Sequence, residues 1–101
     1  MDWLWTWGGI CFGYREGDDL WTYDGRHVGR FAGKEVYART GTYLGELMND
    51  NRLITSRAKT NRMHRSFTPV TNRTACTRCE NCTGYPMYSG YEDFPAPEVL
   101  R

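Results

Sequence analysis

The sequence predicts an all-β fold, an up-and-down meander of short antiparallel hairpins followed by an irregular C-terminal tail. Three observations carry that reading. Three stretches superimpose at a spacing of sixteen residues: LWTWGGICFGYR from Leu4, LWTYDGRHVGRF from Leu20 and VYARTGTYLGEL from Val36. Glycine recurs at two fixed phases of the repeat, as Gly9, Gly25 and Gly41 and again as Gly13, Gly29 and Gly45. Aromatic and aliphatic residues fill the short runs between these glycines. A fixed internal period of this kind bears on architecture before any local propensity does.

Each copy sets a pair ending in glycine (Gly8-Gly9, Asp24-Gly25, Thr40-Gly41) between two apolar runs. Such pairs supply the positive φ of a type I′ turn, so each copy reads as a hairpin. With Asp24-Gly25 as the loop, Trp21 faces Val28 and Leu20 faces Gly29; the equivalents are Trp5 with Phe12 and Tyr37 with Leu44. Alternation then puts Trp5, Trp21 and Tyr37 with these partners on one face, the expected core. Gly13, Gly29 and Gly45 fall on the other face, opposite Leu4, Leu20 and Val36. A glycine inside a strand marks a bulge or the close approach of another chain segment, and its recurrence points to a repeated packing requirement.

The connections EGDD from Glu16, AGK from Ala32 and MNDN from Met48 are polar turns. Arg52-Leu53-Ile54-Thr55 opens a fourth copy that loses its glycines, which divides the chain into a repeat domain, 1–56, and a tail, 57–101. The incomplete copy leaves an open sheet edge. Ser66 to Val70 or a second subunit is expected to close it. A chain of 101 residues builds one small core. Ten aromatics precede residue 45, so the core is expected in the first half.

The segment LWTYDGRHVGRFAGKEVYARTGTYLGEL from Leu20 to Leu47, followed by NRLI from Asn51, resembles bacterial 4-fold β-flower domain proteins. The resemblance covers residues 3–56. It implies four short hairpins arranged with pseudo-fourfold symmetry as a shallow barrel, similar in outline to small lipid-associated barrels such as the Tubby-like fold. It brings no catalytic residues. The chain departs from the pattern in its first copy, where Gly8 replaces the turn Asp and Ile10-Cys11 follows, and in its tail, which lies outside the repeat.

No copy carries a nucleophile, a carboxylate pair or a phosphate loop, so a non-enzymatic role is expected. The N-terminus lacks a basic leader, and no apolar run approaches the roughly 20 residues of a membrane span, from which a cytoplasmic protein is expected. Net charge is +1, but charge is unevenly spread. Arg52 to Arg78 holds seven basic residues and no acid, against eight acids and five bases in residues 1–51. Arg57, Lys59, Arg62, Arg65 and Arg73, interleaved with Met63, His64 and Phe67, suit phosphate contacts with base stacking. The same composition suits an anionic membrane surface or a solvated linker.

Cys76, Cys79 and Cys82 offer three thiolates at two-residue gaps, a spacing that suits tetrahedral zinc. The fourth ligand would be His64, His27, Cys11 or a residue of another subunit. An iron–sulfur cluster needs a further Cys where Pro86 stands, and free or disulfide-exchanging thiols are the remaining reading. Trp3, Trp7, His27 and Tyr43 are candidates for a ligand or partner face. The final SGYEDFPAPEVLR docks on a partner or folds back on the arginines. The leading functional expectation is a binding module that engages a protein or ligand at its central face, with a protein partner or self-association. Nucleic-acid binding through residues 52–78 with a zinc knuckle, and a small thiol or metal redox protein, are the alternatives; the sequence specifies no small molecule.

Overall fold

A computed structural model describes residues 1–100. It contains eight strands: β1 (Asp2–Thr6), β2 (Cys11–Glu16), β3 (Asp19–Thr22), β4 (His27–Ala32), β5 (Glu35–Tyr37), β6 (Tyr43–Met48), β7 (Arg52–Ser56) and β8 (Tyr91–Asp93). Successive strands pair antiparallel, and β1 pairs parallel with β7, so β1 to β7 close into a seven-stranded barrel. One edge of β7 is divided between two partners. Arg52 and Leu53 pair with Trp5 and Thr6 of β1, while Ile54, Thr55 and Ser56 pair with β8. The edge expected to be open is thus closed within the chain, but not by Ser66 to Val70, which form no strand.

Leu20 pairs with Gly29 as the sequence implies. One residue further the register slips, and Trp21 pairs with His27, Trp5 with Cys11 and Tyr37 with Tyr43. Each hairpin therefore carries a bulge, with Phe12, Val28 or Leu44 as the extra residue. A one-residue slip exchanges the faces of what lies beyond it, which corrects the expected core in part. Phe12 lies in the interior with Val28 and Leu44 against it, whereas Trp21 and Tyr37 are buried outside that cluster. The interior is built from Leu4, Leu20, Val36 and Leu53, one from each first strand, together with Phe12, Phe31 and Phe94. Burying each aliphatic side chain contributes roughly 1.5–3 kcal/mol. Trp5, Trp21 and Tyr37 lie outside this cluster.

The tight turns also lie elsewhere than expected. They join the copies, at Gly17-Asp18 and Gly33-Lys34, each opening on a glycine with φ of 61° and 64°. The loops at Gly9, Gly25 and Gly41 are wider. In the second hairpin Gly25 N donates to Thr22 O at 3.0 Å and Thr22 N to Arg26 O at 2.9 Å. The repeated packing requirement at the second glycine phase is met by the next hairpin: a Cβ at Gly13, Gly29 or Gly45 would press on the carbonyl oxygen of Trp21, Tyr37 or Ile54. Phe94, from the tail, fills the space beside Gly45 and packs edge-on to Phe12 at 5.3 Å, so the core draws on both halves of the chain.

Between β7 and β8 the chain makes one 3-10 turn, Arg57–Lys59, and then runs as an extended strap over the outside of the hairpins. It passes them in reverse order: third, second, first.

Candidate functional site

The strap holds to the hairpins through main-chain bonds that recur every nine residues. His64 N donates to Gly41 O at 2.8 Å, Arg73 N to Gly25 O at 2.7 Å and Cys82 N to Gly9 O at 2.7 Å. Three residues on, Phe67 N donates to Arg39 O, Cys76 N to Tyr23 O and Tyr85 N to Trp7 O, at 2.9, 2.8 and 3.1 Å. Nine strap residues therefore span one sixteen-residue hairpin unit. Glycine is required at the docking turns for two reasons. Gly9, Gly25 and Gly41 have φ of 93°, 87° and 90°, and a Cβ on any of them would collide with the carbonyl oxygen of Cys82, Arg73 or His64.

The strap also accounts for the buried polar candidates. His27 is buried, its Nδ1 accepting from Val70 N at 2.9 Å, its ring between Trp21 (5.1 Å) and Phe67 (5.0 Å). Its Nε2 faces Asp19 Oδ1 at 3.0 Å, too oblique for a hydrogen bond. Tyr43 is buried as well: its hydroxyl donates to Glu46 and accepts from Ser56 N. Burial, reinforced by Glu46 and partly offset by the Ser56 N–H, pushes Tyr43 up to about 12. Trp7 is 1% exposed, and Trp3 is half-buried at the rim of a 400 Å³ cavity with Met1, Arg15 and Leu47. Three of the four residues expected on a partner face, Trp7, His27 and Tyr43, are thus covered, because the strap lies where solvent was expected.

The basic stretch is largely neutralised by acids of the barrel and the C-terminal segment. Lys59 bridges Glu35 and Glu46 at 3.1 and 2.8 Å, and Arg62 meets Glu35 at 2.7 Å. The Tyr37 hydroxyl, then Lys59 and Arg62, hold the Glu35 carboxyl below its usual range. Arg73 lies 3.9 Å from the Trp21 ring and binds Glu16 at 2.9 Å; Arg57 reaches Glu92 and Arg78 reaches Glu98. Arg65 has no acidic partner among the described residues.

The structure does not bring Cys76, Cys79, Cys82 and His64 together. His64 packs at a tilt against Tyr37 at the third hairpin, Cys76 docks on Tyr23 of the second, and Cys82 docks on Gly9 of the first. Among the described residues no three His, Cys, Asp or Glu side chains converge as metal ligands. Cys79 instead lies against Cys11, at the place on the strap that Val70 takes beside His27. Burial, more than the neighbouring thiol, pushes the Cys11 thiol up. A buried thiol of raised pKa is a poor nucleophile.

Two surface features stand out that the sequence reading did not single out. Over Trp7 the strap forms an aromatic knuckle: Tyr85 and Tyr88 lie 5.0 and 5.3 Å from the Trp7 ring, and Trp7 Nε1 donates to Pro86 O at 3.0 Å. Arg52 lies 4.2 Å from the Tyr85 ring. Tyr85, Met87 and Tyr88 remain 45%, 44% and 52% exposed. The run GYPMYSGY was the available signal. The second feature is a cavity of 280 Å³ between the second and third hairpins, lined in part by Arg26, Arg39 and Asn72. Its residues are scattered over four segments, the last of them the C-terminal turn with Leu100. Among the described residues no helix is long and apolar enough to cross a membrane. No protein-family model, curated protein or solved structure matches the chain.

Proposed function

We propose that the chain is a non-enzymatic interaction module of the β-flower type, in which the barrel holds the strap and the strap presents a surface to a protein partner. The aromatic knuckle carries this reading. Tyr, Trp, Met and Arg are the residues enriched in interface cores, and here Tyr85, Met87 and Tyr88 are exposed together on a Trp7 floor. The knuckle is held in place by the Trp7 indole, the Tyr85 N–H and the Arg52 guanidinium, so binding costs little side-chain ordering. The filled barrel interior moves the expected site from the central face to the outside. The neutralised arginines weigh against the nucleic-acid alternative, and the docking of Cys76 and Cys82 on different hairpins weighs against a thiol cluster.

Selection of displayed random peptides on the immobilised full chain tests the reading. Enriched peptides are expected to share a consensus and to lose binding about tenfold or more with Tyr88→Ala, an interface-anchor loss of about 1.4 kcal/mol or more. Thr68→Ala, elsewhere on the strap, is expected to leave binding unchanged. No enrichment, or equal binding by both variants, would overturn it.

A further inference from the structure

The sixteen-residue step of the hairpins and the nine-residue step of the strap make two seams of the molecule comparable side chain by side chain. One seam lies between the first and second hairpins, the other between the second and third. The cavity of 280 Å³ opens at the latter. Its walls include Val28, Ala38 and Pro69, and its rim carries Arg26, Arg39 and Asn72. The corresponding residues at the other seam are Phe12, Thr22 and Arg78 for the walls and Ile10, Tyr23 and Asn81 for the rim. There Arg78 lies 5.1 Å from the Tyr23 ring, and Asn81 Oδ1 accepts from Cys11 N at 3.0 Å. That seam is filled and its amide is engaged.

At the second–third seam all three wall residues are smaller, and the rim changes from apolar and aromatic to cationic. The Asn72 side chain makes no hydrogen bond, and Arg39 has no acidic partner, among the described residues. Arg26 reaches Asp24 only through Nε, at 3.8 Å. The back wall is rigid, since His27 is fixed by Val70 and packed between two rings.

We propose that this seam is a binding site for a small organic anion, a phosphate or carboxylate group on a compact apolar body. Arg26 and Arg39 supply charge-assisted hydrogen bonds in the planar fork that suits such oxyanions. Asn72 donates a further bond, and Val28, Ala38 and Pro69 receive the apolar part. The volume of 280 Å³ falls just below the usual range of ligand cavities, about 300 to 1,000 Å³, so the ligand is small.

The test titrates phenyl phosphate and benzoate into the full chain and follows amide resonances by NMR, with inorganic phosphate and benzyl alcohol as probes of each half alone. Saturable shifts are expected at Val28, Arg39 and Asn72 with phenyl phosphate or benzoate, and weaker ones with either control. Arg39→Ala is expected to weaken binding about tenfold or more, the loss of a hydrogen bond to a charged group. Arg39→Tyr, which installs the side chain standing at the filled seam, is expected to abolish it, with amide dispersion reporting that both variants remain folded. Arg65→Ala, at an exposed arginine that does not line the cavity, is expected to bind as the parent does. No shift at millimolar probe, shifts that map elsewhere, or equal losses in Arg39→Ala and Arg65→Ala would overturn the proposal.

Discussion

Gly25 shows how a single residue type can be required twice over at one position. Its φ of 87° disfavours any side chain, and the Arg73 carbonyl occupies the place a Cβ would take. Gly33 separates the two requirements, for its φ is 64° but nothing lies within 4 Å of a Cβ built there. Gly33→Ala is therefore expected to lose about 1–2 kcal/mol, the left-handed backbone cost alone. Gly25→Ala is expected to lose more, and to raise hydrogen exchange at the Arg73 and Cys76 amides. Chemical denaturation and exchange mass spectrometry on the pair of variants check this; equal losses with unchanged exchange would mean that the strap yields freely. The glycines were legible in the sequence, but only the turn requirement was. The second requirement comes from a segment some fifty residues away whose contact is made by main chain, and main-chain contacts leave no mark on side-chain pattern.

At the scale of elements, the hairpins were readable and their faces were not. The pair Leu20–Gly29 follows from the turn glycine and the alternation, whereas Trp21–His27 does not, because a bulge adds a residue without altering composition. The strap was read as an irregular tail for a related reason. His64, Arg73 and Cys82 occupy equivalent places, as do Phe67, Cys76 and Tyr85, yet they share no chemistry that a repeat search could detect. Asn72 and Asn81 keep their identity across the step, as do Thr68 and Thr77 and Thr74 and Thr83, but these are common surface residues. The basic stretch was visible, but its partners Glu16, Glu35, Glu46, Glu92 and Glu98 are distant in sequence. Because these pairs already neutralise most of the stretch, affinity for mixed-sequence DNA at low salt is expected to be weak, with a slope of log affinity against log salt of about −1 to −2 rather than the steeper value of five free phosphate contacts. Fluorescence anisotropy across a salt series measures it, and a slope near −4 or steeper would restore the nucleic-acid reading.

For the whole molecule, the acid–base balance of the strap sets the pH range of stability. Glu35 is held low by Tyr37, Lys59 and Arg62, and Glu16 is held low chiefly by Arg73. Both carboxyls thus bind protons more weakly when folded, so their contribution is fully present above the ordinary value of 4.5 and is lost as pH falls below it through their lowered folded values. Tyr43 works in the opposite sense: raised to about 12 from 10.0, it contributes stability below pH 10 that is lost as pH rises toward 12. The melting temperature followed by circular dichroism is expected to hold level near neutrality and to fall on both sides, with strap amides losing protection before the barrel does in acid. A melting temperature insensitive to acid would show that the strap pairs contribute nothing to folding.

The grip of the strap, N–H into glycine carbonyl at intervals of nine, has a consequence for how such a molecule can diversify. Attachment is delegated to the peptide groups, so the side chains between the anchors are at liberty to vary. A change such as Arg78→Pro, which copies Pro69 of the neighbouring seam, alters what a seam admits while the belt stays fastened. One scaffold of this kind offers three separately editable windows, and in this chain they have already diverged into an aromatic knuckle, a plugged seam and an open cationic one.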